Sequence, residues 1–358
     1  MPTLLRRLVY CAVRSRSRRF PTKLLFILAI VLLGIMHVSS DVAAAGPEAV
    51  LVAAGDIASC SSSGDEATAN LLDSISGSVA TLGDNVYENG TATEYANCYD
   101  PSWGRHKART MPAPGNHEYN TANATGYYGY FGAAAGDPTK GYYSYDLGAW
   151  HIVVINSNCS SIGGCGGGSS QEQWLRADLA AHPSACTLAY WHHPRFSSGP
   201  HGSDAMTQPI WQALYDYGAD IVLSGHDHDY ERFAPQDPAG NADPVHGIRE
   251  FVVGTGGRSH YPVCQTNSEV SDANTYGVLK LSLHPSGYDW QFLPVVGSTF
   301  ADAGSSTCVT AAPVGGTSAL TGQSGNSRST WLLALAAGLL GSIAMAAAAY
   351  GRFWRSRS

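Results

Sequence analysis

An α/β fold is what this chain predicts, on three observations. Short apolar runs, each the length of one buried strand, alternate with helical patterns. Two of these runs, residues 49–54 and 79–82, enclose a helical stretch over 65–75 and so form a βαβ unit. Several runs end in glycine followed by a carboxylate, amide or imidazole. That gathers polar groups at the carboxyl ends of strands, where open α/β sheets carry their sites.

The two termini stand apart from that fold. Residues 1–23 carry Arg6, Arg7, Arg14, Arg16, Arg18, Arg19 and Lys23 without an acid, and an apolar run over 24–38 and Ala43-Ala44-Ala45 follow. This order predicts a secretory signal over 1–45, with an uncleaved anchor as the alternative. Residues 331–350 contain no charge, and as a helix they would be about 30 Å long, enough to cross a bilayer. Arg352, Arg355 and Arg357 in the tail 351–358 put that end in the cytoplasm. A Gly-, Ser- and Thr-rich linker, 312–330, precedes the span. The expectation is a single-pass anchor in the cell membrane holding an exported domain, 46–311, outside.

Between the ends, residues 46–330 hold 11 Lys and Arg against 27 Asp and Glu, a formal charge of −16. That balance excludes nucleic acid as a partner, since phosphate backbones bind clustered cations. Seven cysteines lie beyond the signal: Cys60, Cys98, Cys159, Cys165, Cys186, Cys264 and Cys308. None forms a C-x-x-C zinc pair, and export favours disulfides. Cys159 and Cys165 flank a Gly-rich turn and can pair locally. An odd count leaves one thiol free or paired between molecules.

In order, the first strand runs into Gly55-Asp56 and the second into Gly83-Asp84, with Tyr87 just beyond. A strand over 109–113 leads to Gly115-Asn116-His117-Glu118. The Tyr- and Gly-dense stretch 119–131 reads as a loop packed on the domain or beside the cleft. Residues 142–146 and 150–155 form a hairpin. The Gly-rich stretch 163–170 lacks the ending of a phosphate-binding loop and reads as a linker. A helix over 170–181 takes Ser170 as its N-cap and Gln173 at the capping-box position. The strand 188–191 delivers His192 and His193, and strand alternation lets only one of them reach the site. A helix over 206–217 precedes the strand 220–223, and further strands follow at 249–253, 277–283 and 288–295.

The strand 220–223 ends in Gly225-His226-Asp227-His228. In an extended chain His226 and His228 would point one way and Asp227 the other. Their α-carbons would then lie roughly 6–7 Å apart, which suits two metal ions about 3.5–4 Å apart. His106, His151, His182, His246, His260 and His284 read as surface or packing residues.

Together the series is Asp56, Gly83-Asp84, Gly115-Asn116-His117-Glu118, His192 and Gly225-His226-Asp227-His228. From Asp56 to Arg232 it resembles the calcineurin-like metallophosphoesterases, within them the purple acid phosphatase branch. Asp56-Ile57-Ala58 stands where the branch has D-x-G, with Ala58 for the glycine. Gly83-Asp84-Asn85-Val86-Tyr87 matches G-D-x-x-Y, and residues 225–232 match G-H-x-H-x-Y-E-R. The resemblance implies a four-layer α-β-β-α sandwich of two facing mixed β-sheets. It implies two metal ions, the first on Asp56, Tyr87, His228 and a shared Asp84, the second on Asp84, Asn116, His192 and His226. His192 is the ligand rather than His193 because it fits the branch's H-x-P pattern before Pro194. A phenolate at Tyr87 favours Fe³⁺ at the first position, with Fe²⁺, Zn²⁺ or Mn²⁺ at the second. His117 and His201 fall where the branch keeps histidines beside the leaving group.

The expected activity is hydrolysis of a small phosphate monoester by a metal-activated water, with a histidine protonating the departing alkoxide. A phosphodiesterase acting on nucleotide or lipid diesters with the same metals is the alternative. A non-catalytic surface module is the third reading, and the complete ligand set argues against it.

Overall fold

Two mixed β-sheets share a core in the computed structural model, which describes residues 48–184, 186–263 and 268–309. In chain order the strands are β1 (Ala49–Ala54), β2 (Ala58–Ser59), β3 (Ser78–Leu82), β4 (Val86–Tyr87) and β5 (Thr110–Ala113). Next come β6 (Tyr143–Leu147), β7 (Trp150–Val154), β8 (Cys186–Tyr190), β9 (Ile221–Ser224) and β10 (Tyr230–Arg232). The last are β11 (Arg249–Val253), β12 (Val270–Asp272), β13 (Gly277–His284), β14 (Gly287–Pro294) and β15 (Ala303–Thr307). The first sheet runs β15-β14-β13-β1-β3-β5 and the second β12-β10-β11-β9-β8-β7-β6, while β2 and β4 form a small pair of their own.

Strand composition decides where each strand sits. β7, β8 and β9 are mostly apolar and buried at every position, as parallel strands covered on both faces must be. β13 and β14 alternate buried and more exposed residues over most of their length and form an antiparallel hairpin across His284–Gly287. Leu51, Val79 and Leu281 of the first sheet share one core with Ile152, Leu188 and Phe251 of the second. Helix α1 (Gly64–Leu72), with Asp65 and Glu66 in its first turn, lays Ala69 and Leu72 against the first sheet.

On the other side, α3 (Ser170–Ala181) and α4 (Gln208–Asp216) cover the second sheet, following α2 (Thr125–Phe131) in the chain. Leu175, Leu179, Trp211 and Leu214 pack there onto Val153, Ala189 and Val222, each large side chain contributing about 1.5–3 kcal/mol by burial. The four layers expected from the resemblance are therefore present.

Three local expectations change. The N-cap of α3 is Ser169, whose Oγ accepts from Glu172 N at 3.3 Å, while Glu172 reaches back to Gly168 N at 3.0 Å; the capping pattern is shifted by one residue. The stretch 119–131 is partly helical rather than a loop. It contributes α2, whose Tyr127 and Phe131 enter a buried cluster with Tyr95 and Tyr99. Cys159 pairs with Cys165 as its spacing allows, and Cys60–Cys98 and Cys186–Cys308 are two further disulfides. The last spans 122 residues, a closure worth about 4–5 kcal/mol in the chain-entropy account.

The signal over 1–45, the linker 312–330, the span 331–350, the tail 351–358 and Cys264 lie outside the described residues. Among the described residues no helix is long and apolar enough to cross a membrane.

Candidate metal centre

Parallel strands from both sheets end at one edge of the sandwich, and the polar residues of the series follow those ends. Asp56 and Asp84 stand two residues beyond β1 and β3, Asn116 three beyond β5, and His192 and His226 two beyond β8 and β9. The sheets are joined there: Gly55 N donates to Val253 O at 2.9 Å, and Arg258 N to Asp56 O at 3.0 Å. Asp56, Asp84 and His226 adopt left-handed backbone conformations, with φ of 58°, 45° and 71°. Non-glycine residues held there cost of order 1–3 kcal/mol each and cluster at functional sites. The glycines that precede Asn116 and His226 allow close approach. A Cβ on Gly115 would lie 2.1 Å from Asp84 Oδ1, and one on Gly225 2.6 Å from Asp56 Oδ2.

Seven side chains from five segments converge into two sets about Asp84. In the first, Tyr87 Oη donates to Asp56 Oδ1 at 2.7 Å and lies 3.2 Å from His228 Nε2, which is itself 3.2 Å from Asp56 Oδ1. In the second, His192 Nε2 lies 3.0 Å from Asn116 Oδ1, 3.2 Å from His226 Nδ1 and 3.3 Å from Asp84 Oδ2. Asp84 also stands with Asp56 and His192 in one group of closely spaced ligand atoms. His226 and His228 reach different sets, as expected, but not from an extended chain. The segment after β9 is a tight loop in which Asp227 N donates to Gly225 O and Asp229 N to Asp227 O, both at 2.9 Å. Asp227 points away from the metals' position, toward His201.

These residues fit a pair of cations. Donors around one ion at about 2.0–2.2 Å lie roughly 3 Å apart, the spacing found in both sets. His192 Nδ1 donates to Leu82 O at 2.8 Å, which leaves Nε2 as the ligand atom. Asp56 and Asp84 are almost wholly buried, and the Asp84 carboxylate lies against His192. Burial opposes a charged His192, yet the Asp84 carboxylate outweighs it and lifts the imidazole to about 9. Burial, then the charge of His192, push His226 far down. Burial and the neighbouring Asp56 and Asp84 carboxylates push the Tyr87 phenol well above its usual range, so only a bound cation would make it an anionic ligand.

His117 and His201 flank the sets without joining them. His117 Nε2 is 3.8 Å from Asp84 Oδ2, and its Nδ1 donates to Glu88 O at 2.7 Å. His201 Nδ1 is 2.9 Å from Asp227 Oδ1, and its ring lies 4.2 Å from that of His226. His193 departs from the alternation argument. β8 ends at Tyr190, so the next residues are not extended, and His193 comes close to both His192 and His226. Its Nδ1 meets Ser157 Oγ at 2.8 Å, and burial, then His192, hold its pKa down to about 3.

Four further residues are given no role by the sequence argument. Ser259 Oγ meets His228 Nδ1 at 2.7 Å, Tyr261 stacks on the His228 ring at 3.9 Å, and Arg258 lies over the Tyr87 ring and pairs with Glu88. All three follow β11, whose Gly254-Thr255-Gly256-Gly257 repeats the strand-then-glycine pattern of the other segments. Glu118, wholly buried, accepts from Asn85 N at 2.9 Å and Gly115 N at 2.6 Å, and so braces both the Asp84 and Asn116 loops.

A family model for calcineurin-like phosphoesterase matches residues 37–230. The chain is 30% identical over 211 residues to purple acid phosphatase 15 of Arabidopsis thaliana, covering 48% of this chain and 38% of that protein. It is 31% identical over 149 residues to acid phosphatase type 7 of Homo sapiens, covering 35% and 33%. In fold it is similar to a purple acid phosphatase isolated from yellow lupin (Lupinus luteus) seeds, with a TM-score of 0.58 and 20% identity over 73% of this chain and 54% of that one. The chain thus spans about a third to two fifths of the length of these two curated relatives.

Proposed function

The chain belongs to the calcineurin-like phosphoesterase family, on its purple acid phosphatase-like side, and from that premise we propose an exported, membrane-anchored phosphatase that hydrolyses small phosphate monoesters at a dinuclear metal centre. One observation carries this reading: seven donors from five separated segments converge as two sets on either side of Asp84. Asp56, Tyr87 and His228 would hold one ion, Asn116, His192 and His226 the other, with Asp84 shared. Fe³⁺ suits the set with the phenol, and Fe²⁺, Zn²⁺ or Mn²⁺ the set without it. Bound there, the metal pair supplies charge neutralisation at the phosphate and activation of water.

The residues around the sets do the rest. Leu82 O and Ser259 fix which imidazole nitrogens face the metals. Glu118 keeps the loops of Asp84 and Asn116 together. His117, beside Tyr87 and the shared Asp84, and His201, beside His226, are both partly exposed and would be placed to hand a proton to the departing alkoxide. The formal charge of −16 over residues 46–330 argues against nucleic acid as a partner, and the apolar stretch 331–350 would tether the domain outside the cell membrane. The acid phosphatase names of the two relatives support the monoester over the diester reading.

The test is metal analysis of the purified full chain with a visible spectrum, a mono- and diester substrate panel and membrane fractionation. The expected result is two metals including iron, a broad visible band abolished in Tyr87→Phe, preference for monoesters, and fractionation with membranes. A colourless active protein with divalent metals only would remove the iron assignment. Turnover confined to diesters would replace the substrate class. Recovery of the intact chain in a detergent-free soluble fraction would remove the anchor.

A further inference from the structure

The edge of the second sheet opposite the candidate centre carries a separate group of metal-ligating side chains. His151 is the second residue of β7, on the face covered by α3, and lies directly across from Asp146 on β6. Asp178 lies in the last turns of α3, and His182 follows at its C-terminus. Because β7 and β8 run parallel with His151 opposite Thr187, the group sits roughly 15 Å from His192, at about 3.3 Å per residue along the strands.

Its internal geometry is that of a ligand set with its support already in place. His151 Nε2 lies 2.8 Å from Asp178 Oδ2, and His151 Nδ1 lies 3.0 Å from Asp146 Oδ1. Asp178 is oriented by Ser144, whose Oγ donates to Oδ1 at 2.8 Å. The His182 ring lies parallel to that of His151 at 4.7 Å, and its Nδ1 is 3.4 Å from Asp178 Oδ1. One ligand atom from each of His151, Asp178 and His182 lies within 4.8 Å of the other two. Beside them opens a cavity of about 360 Å³, lined among others by Asp146, His151 and His182.

We propose that His151, Asp178 and His182 form a second, distal binding site for a zinc-class divalent cation, with Asp146 as the carboxylate that orients His151. Asp146 on Nδ1 directs Nε2 outward and raises its basicity, the arrangement that commonly supports metal-bound histidines. Two imidazoles and one carboxylate favour Zn²⁺ or a neighbouring transition metal over Mg²⁺ or Ca²⁺. Three protein ligands leave the fourth tetrahedral position to water from the cavity.

The experiment counts metal on the full chain after equilibrium dialysis against Zn²⁺, for the wild type, His182→Ala, Asp178→Asn and Asp84→Asn. Co²⁺ loading of the same proteins reads tetrahedral coordination by its visible bands. His182 is half exposed, so its removal leaves the core intact, and circular dichroism checks the fold of each variant. The expected result is one equivalent that survives Asp84→Asn, disappears in folded His182→Ala and Asp178→Asn, and gives a tetrahedral cobalt spectrum. Equal metal counts in wild type and His182→Ala, or an Asp84→Asn protein that binds nothing, would overturn the proposal.

Discussion

The two donor sets on either side of Asp84 differ in how far they are closed to water. Asp56, Tyr87 and His228 are all buried, and Tyr261 lies flat over His228 as a cover. In the other set only His192 is fully buried; Asn116 and His226 are partly open, with His193 and His201 beside His226. A phenol is useful as a ligand only when deprotonated; burial opposes that form at Tyr87, so the charge of a bound cation would have to supply it. In the proposed function the open set is where substrate and leaving group would have room, with His201 on that side and His117 between the sets, against Tyr87 and Asp84. The difference separates a holding half from a working half.

Four experiments break or sharpen that division. Asp84→Asn should affect both halves at once, lowering metal content and reducing turnover by roughly a thousandfold or more, as loss of a shared charged ligand predicts. Near-normal turnover in this variant would end the shared-ligand assignment. Next, His201→Ala should slow alkyl phosphates by about a hundredfold, the lower range for general acid catalysis, and nitrophenyl phosphate far less. Equal losses on both substrates would make His201 a positioning residue only. Ser259→Ala should weaken metal binding in the closed half alone by about tenfold, the usual scale for removing a partner of a ligating histidine. Loss of both metals together would show that the halves are not independent. The smallest effect is kinetic: brief chelation should remove the metal of the open half first, leaving one ion and the visible band. Simultaneous loss of metal and colour would contradict the difference in closure.

Much of the centre was legible in the sequence because its residues follow strand ends in the immediate chain. Asp56, Asp84, Asn116, His192 and His226 are each announced by an apolar run and a nearby glycine or histidine. Ser259, Tyr261 and Arg258 escaped although β11 and its glycines send the same signal. They are of types with many ordinary uses, and only the parallel pairing of β11 with β9 brings them to His228. His193 was set aside by a strand rule that stops applying at Tyr190. The four-layer fold came from the resemblance rather than from periodicity, which does not give strand order. The pairing of β13 with β1, for instance, joins segments more than two hundred residues apart. His151 and His182 read as surface or packing histidines because it takes the packing of a helix on a hairpin to bring them together.

The Cys186–Cys308 disulfide also determines how the domain bears a pull from its C-terminal side. Cys308 follows β15, the edge strand of the first sheet, but is bonded to the first residue of β8, deep in the order of the second. Asp220 adds a second fastening by accepting from Val309 N at 2.6 Å and Thr187 N at 2.8 Å. A tug on the chain beyond residue 309 is therefore not spent peeling β15 from β14 one hydrogen bond at a time. It passes through a covalent link into a strand flanked on both sides, which must be sheared rather than unzipped. A pull from that side would therefore enter β8, the strand whose far end leads to His192.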